Sequence, residues 1–385
     1  MDDFSKALTA SRAKAPDLWA ELALYRFEDQ YQLIRCHRRF VQWGLCERLC
    51  QESARLTAID PHHAIEAAEL AVLVSDLMKE DDPANVRWLY RLRSYAWAHD
   101  GNARRVLGDL RSADESFAIA EAWWEAGEDG AADALDYESM LLDFEASLRI
   151  AQRRFQEALA LLDRLFALHA NGRPKYRNAH LAGRALVKKA LALQEMEEPE
   201  LAVSLLQEAE ALVDGQLDLR LLLCLRHNLL RNLVRIESYQ EARTLLPDVA
   251  VLSREVGNPL DLLRLRWIEG NIAAGVGQTE AAIQILEKLK QEFAERSMAY
   301  DAALVSLELT ALHAKEGRTA EVKRLSVEMA RIFRAQNVPR EALAALLFFQ
   351  KAAERDSATA RLAREIAAFL EKQRTDPGLR FDLML

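Results

Sequence analysis

Six ten-residue blocks recur along the chain, and their spacing limits what it can fold into more than any other feature. GDLRSADESF (108–117), RRFQEALALL (153–162), EEPELAVSLL (197–206), ESYQEARTLL (237–246), GQTEAAIQIL (277–286) and GRTAEVKRLS (317–326) start 45, 44, 40, 40 and 40 residues apart. The sixth place holds Ala113, Ala158, Ala202, Ala242 and Ala282, then Val322. Four places on come Phe117, Leu162, Leu206, Leu246 and Leu286, with Ser326 breaking the pattern in the last copy. On a helix, residues four apart share a face, so the small residue admits a neighbouring helix and the bulky one fills the space between. A period of this length in a helical chain is the signature of a solenoid.

An amphipathic helical stretch precedes each block and another follows it, as LLRLRWIEGNIAAG does before Gly277. The unit is helix, tight turn, helix. Gly101 and Gly270 fall inside first helices, where a side chain would obstruct a neighbour. Gly108, Gly277 and Gly317 fall at helix ends, where the chain must leave helical geometry. A Leu, Ala, Glu and Arg-rich composition with 14 Gly and 9 Pro agrees with helices. Alternating β-branched segments are hard to find.

Trp97, Gly101, Gly108, Ala113, Phe117 and Ala120 together resemble the tetratricopeptide repeat family. The resemblance covers roughly 90–373, with a weaker unit over 28–80, and longer helices or loops absorb the excess over that family's period of about 34. It implies an all-α, right-handed superhelical solenoid of antiparallel helix pairs, with repeats of about 40–45 residues. The texture also resembles the helical-repeat tails of bacterial regulators. Only about 25 residues precede the first long helix, so a leading DNA-binding domain is not expected.

The organisation expected along the chain is a mobile lead-in over 1–25, an N-terminal helical unit over 26–86 (itself a candidate divergent repeat), a solenoid over 87–373 and a tail over 374–385. Residues 28–56 read as one long helix or a broken pair. Asp60 before Pro61 marks a helix start. Breaks are expected at 80–86, 127–130, 171–175, 213–218, 256–259 and 336–339. The last helix, about 357–373, is expected to cap the stack. The apolar tail residues Phe381, Leu383, Met384 and Leu385 suit folding back on that helix, or else docking elsewhere.

A net charge of −9 argues against general nucleic-acid binding, which needs a basic face. The cysteines Cys36, Cys46, Cys50 and Cys224 are too few for a disulfide scaffold and suit a reducing cytoplasm. No signal peptide and no apolar run of membrane-spanning length is visible, so no membrane partner is expected. The sequence shows no phosphate loop and no nucleophile elbow. Cys36, His37, Cys46 and Cys50 match no strong zinc spacing and read as packing residues, and His62 and His63 as a solvated first turn. No catalytic residue, cofactor or metal is therefore expected, and the chain reads as a non-enzyme.

Ligands of such solenoids commonly bind on the first helices. Placing those helices in register gathers Arg184, Lys188, His227, Asn228, Arg231, Arg264, Trp267 and Asn271 as a partner-binding set. Arg and Lys suit carboxylates, Asn suits peptide amides and Trp is a frequent anchor. The expected function is a cytoplasmic scaffold or adaptor that binds a protein or an acidic, extended peptide segment in a concave groove. A peptide-sensing bacterial regulator and a regulatory subunit of an enzyme complex are the alternatives.

Overall fold

The structure, a computed structural model, describes residues 3–79, 83–127, 135–172, 177–335, 339–375 and 378–381. The described residues form α-helices and one short 3-10 turn, with no strand among them. The chain divides into two compact units, Met1–Val213 and Asp214–Leu385, inside the stretch that the sequence suggests as one solenoid.

The first unit holds α1 (Asp3–Leu22), α2 (Phe27–Cys36), α3 (Trp43–Leu56), α4 (Pro61–Leu77), α5 (Pro83–Leu107), α6 (Leu110–Ala126), α7 (Leu135–Ala151), α8 (Phe155–Ala170), α9 (Ala179–Glu195) and α10 (Pro199–Glu210). From α3 onward each helix packs on the next. Residues 28–56 are the broken pair, with the 3-10 turn Arg38–Phe40 between α2 and α3. Asp60 caps α4 by accepting from the His63 amide at 3.2 Å, with Pro61 in the first turn.

The lead-in expected to be mobile is instead helix α1, packed on α3. Leu8, Leu18, Trp19 and Leu22 recur at helical spacing and join the apolar cluster of α2–α5. Gly44 permits the approach: a Cβ there would lie 2.4 Å from the Ser11 carbonyl oxygen, and its amide donates to Ser11 Oγ at 2.8 Å. Arg12 closes the contact by donating Nε and Nη2 to Glu47 Oε2 and Oε1, both at 2.7 Å. Cys46 and Cys50 are buried in the same cluster, whereas Cys36 is exposed.

The second unit holds α11 (Leu219–Arg235), α12 (Tyr239–Val256), α13 (Pro259–Gly275), α14 (Thr279–Glu295), α15 (Ala299–Lys315), α16 (Thr319–Ala335), α17 (Arg340–Glu354) and α18 (Ala360–Thr375). Helices α11 to α17 again pack in chain order. The last helix departs from that order. It packs more extensively on α15 than on its neighbour α17, with Tyr300 Oη and Gln373 Oε1 2.5 Å apart and Arg374 Nη1 on Asp301 Oδ1 at 2.9 Å. Phe381 folds back onto Phe348 of α17 and Phe369 of α18, 6.0 and 4.9 Å between ring centroids. Leu383, Met384 and Leu385 lie outside the described residues, as do 80–82, 128–130, 173–175 and 336–338 of the expected breaks, whereas 83–86 already belong to α5.

The first residue of every repeat block is left-handed. Gly108, Arg153, Glu197, Glu237, Gly277 and Gly317 have φ of 93, 60, 63, 60, 82 and 69°. Each is followed by an amide that reaches back five residues: Asp109 to Arg104 O (3.0 Å), Arg154 to Arg149 O (2.8 Å), Glu198 to Leu193 O (3.0 Å), Ser238 to Leu233 O (2.8 Å), Gln278 to Ala273 O (2.8 Å) and Arg318 to His313 O (2.9 Å). This closure satisfies carbonyls that a helix end leaves orphaned and reverses the chain into the next helix.

Past the turn, Ala113, Ala158, Ala202, Ala242 and Ala282 are fully buried, as are Phe117, Leu162, Leu206 and Leu286. Leu246 is only half-buried. Ser326 is buried in the bulky place, and its hydroxyl donates to the Lys323 carbonyl at 2.7 Å. A Cβ on Gly101 would sit 2.8 Å from the Phe117 ring, and one on Gly270 2.7 Å from Leu286 Cδ2. The two mid-helix glycines are thus the sockets for the bulky residues of their own repeats.

Candidate functional site

The first helices of the repeats carry long polar side chains on faces that the apolar pattern leaves over, and successive first helices lie one repeat apart. Four of their polar contacts span 41 residues, so a polar group on one such helix meets a partner on the next. The eight residues suggested by the sequence fall into two groups, one in each unit.

In the first unit, Arg184 and Lys188 stand four apart on α9 and both reach Asp143 of α7. Lys188 Nζ lies 2.6 Å from Asp143 Oδ1 and donates to the Asp143 carbonyl at 3.1 Å and to Ser147 Oγ at 2.8 Å. Arg184 Nη2 lies 3.3 Å from Asp143 Oδ2, with much of its guanidinium side chain open to solvent. Burial lowers the Lys188 pKa; the Asp143 carboxylate opposes the shift, while Arg184 and Arg105 add to it.

In the second unit, His227 and Arg231 share a face of α11, and Arg264 comes from α13. His227 is half-buried, and desolvation brings its pKa down to about 4; Asp261 opposes this, and Arg231, Arg264 and Arg220 reinforce it. A neutral imidazole therefore sits among three guanidinium groups and one carboxylate. Asp261 pairs with Arg220 and accepts from the Asn258 amide at 3.0 Å as part of the capping box that starts α13. Arg231 and Arg264 are exposed.

The remaining three residues make contacts within the chain. Asn228 Nδ2 donates to the Cys224 carbonyl of its own helix at 2.7 Å. Trp267 Nε1 and Asn271 Nδ2 donate to Glu308 of α15, at 2.7 and 3.3 Å. The Trp267 ring also meets Phe293 edge-on, 5.6 Å between centroids. Glu308 is held in a desolvated place that raises its pKa to about 7, against the two donors and with help from Glu371 of α18.

The geometry thus gathers His227, Arg231 and Arg264 in one place and Arg184 with Lys188 in another, and it turns Asn228, Trp267 and Asn271 toward the protein. Sequence reasoning missed Arg105, Asp143, Arg220, Asp261 and Glu308. The signal for three of them was present: Asp143 lies 41 residues from Arg184, Asp261 41 from Arg220, and Glu308 41 from Trp267. Among the described residues no cluster of three or more metal-ligating side chains occurs, and no helix is long and apolar enough to cross a membrane.

The fold is similar to that of a Rap protein solved in complex with Competence and Sporulation Factor, at 14% identity over 86% of this chain and 88% of that one, with a TM-score of 0.55. It is also similar to aspartyl phosphate phosphatase F from Bacillus subtilis, at 13% identity over 86% of this chain and 84% of that one, with a TM-score of 0.51. No protein-family model matches the chain, and no curated protein matches it. At these identities the likeness is one of fold: an all-α helical repeat.

Proposed function

We propose that the chain is a cytoplasmic, non-catalytic binding scaffold that takes an extended protein or peptide segment, acidic in character, on the first helices of its repeats. One observation carries this reading. Exposed Arg231 and Arg264 converge from successive first helices around half-buried His227, an arrangement whose charge suits carboxylates. The neighbour solved in complex with Competence and Sporulation Factor supports a helical repeat that binds a second molecule.

The test is capture of partners from native lysate by the full chain, compared with Arg231→Glu combined with Arg264→Glu. The double variant keeps its helical circular dichroism spectrum and loses the captured partner. Unchanged recovery refutes binding at these helices.

A second reading comes from the neighbour described as an aspartyl phosphate phosphatase. It makes the chain a catalyst of aspartyl-phosphate hydrolysis. Phosphate release from a phosphorylated aspartyl protein, measured with and without the purified chain, separates the two. The scaffold reading expects no acceleration.

A further inference from the structure

We infer that Arg105, Arg184 and Lys188 of the first unit form an oxyanion subsite, which takes a phosphate group or a carboxylate on the first helices α5, α7 and α9. The inference deepens the proposed function and rests on it only where a bound segment carries the anion.

The charge balance of the cluster carries the argument. Arg105 lies in the last turn of α5, with Nε and Nη2 on Asn102 Oδ1 at 3.1 and 2.8 Å. Asn102 is buried and neutral, so this guanidinium is held in place without being neutralised. Arg184 and Lys188 both engage Asp143, which also acts on Arg105. One buried carboxylate thus pairs with two cations of α9 and acts on a third, Arg105 of α5, only at longer range.

Desolvation lowers the pKa of Arg105 and that of Lys188, the latter pressed further by its two arginine neighbours. Cations removed from water without matching anions are costly, and an entering anion relieves that cost. The geometry leaves it a way in. Arg184 is exposed beside the half-buried Lys188, so an anion arriving from solvent meets the open edge of a guanidinium first. Guanidinium presents paired donors that match phosphate and carboxylate oxygens, and the ammonium supplies a point charge behind them. Ser147 Oγ already donates to the Asp143 carbonyl at 2.9 Å and accepts from Lys188, which fixes the ammonium in position.

The experiment is titration of the full chain with inorganic phosphate at low salt, by calorimetry and by thermal shift. Saturable binding is expected. Arg184→Gln, an exposed substitution, and Arg105→Gln each weaken it about tenfold, the loss of one charge-assisted hydrogen-bonding group. Asp143→Asn removes the competing carboxylate and tightens binding several-fold, a change that a structural ion pair alone would not produce. An acidic peptide and its phosphorylated counterpart then identify the source: tighter binding of the phosphorylated form assigns a phosphate, and equal binding a carboxylate. Absence of saturable phosphate binding, or equal affinity in Arg184→Gln and wild type, overturns the subsite. Phosphate titration needs no partner. Its failure leaves the scaffold reading to the capture experiment, and failure of that capture leaves phosphate binding in place.

Discussion

Residue exchange at the turn position of the repeats makes a demanding prediction, because the same place responds with opposite signs in two copies. Gly277 and Glu237 are the first residues of consecutive blocks, with φ of 82 and 60°. For a residue with a Cβ the left-handed region costs roughly 1–2 kcal/mol. Gly277→Ala incurs that cost, while the reduced freedom of the unfolded chain returns roughly 0.4–1 kcal/mol. The net loss is about 0.5–1 kcal/mol. No atom lies within 4 Å of a Cβ built on Gly277, so the loss is conformational and not steric. Glu237 is exposed, and Glu237→Gly removes the same strain for a gain of about 0.5–1 kcal/mol. Urea denaturation of the full chain, followed by circular dichroism, reads both. A gain in Gly277→Ala together with a loss in Glu237→Gly is what ordinary helix-interior positions would give. That result would refute the placement of the turns.

The packing positions give two further outcomes. Ala242→Leu forces apart two helices at a fully buried contact and costs roughly 1–3 kcal/mol in the same denaturation assay. Gly270→Ala crowds Leu286, which is fully buried, and a double-mutant cycle with Leu286→Ala is expected to show a coupling of at least about 0.5 kcal/mol. Glu308 and His99 each contribute a pH dependence of opposite sign. Glu308 carries a pKa raised from 4.5 to about 7, so the stability from its protonated form is fully present below pH 4.5 and is lost as pH rises through 7. Glu308→Gln keeps one acceptor oxygen, enough for the shorter Trp267 bond while the one from Asn271 is lost; it removes the titrating group, flattens that slope and gains on the order of 2 kcal/mol at pH 8, read from urea midpoints across pH. His99, buried between the rings of Tyr95 and Phe144, has its pKa lowered from 6.5 to about 3 by desolvation, so its contribution is present above pH 6.5 and lost toward pH 3. His99→Phe is expected to reduce the acid sensitivity of the thermal midpoint.

Much of the fold was legible because steric demands act locally. A block start that must turn left-handed, a small residue five places on and a bulky one four further all follow from the geometry of a helix pair. Each can therefore be read from its own repeat. The sequence marked the turn with glycine in three copies; Arg153, Glu197 and Glu237 accept the same conformation without it, and only the spacing revealed them. Helix α1 was harder to see, because Leu8, Leu18 and Trp19 have meaning only against α3, and Gly44 that receives them lies far along the chain. The polar residues were least legible. Trp267 and Asn271 stand on a first helix as a binding anchor would, yet Glu308, a repeat away, accepts from both. Helix periodicity tells which face a side chain occupies. Whether that face meets solvent or a charged neighbour depends on a second residue about 41 positions distant.

The most direct measurement of the central claim is hydrogen exchange on the full chain with and without its captured partner. Binding on the first helices predicts slowed exchange in 219–235 and 259–275, the segments that carry His227, Arg231 and Arg264, and it predicts loss of that protection in the Arg231→Glu, Arg264→Glu variant. Protection confined to second helices such as 239–256 and 279–295, with 219–235 and 259–275 unchanged, would contradict it.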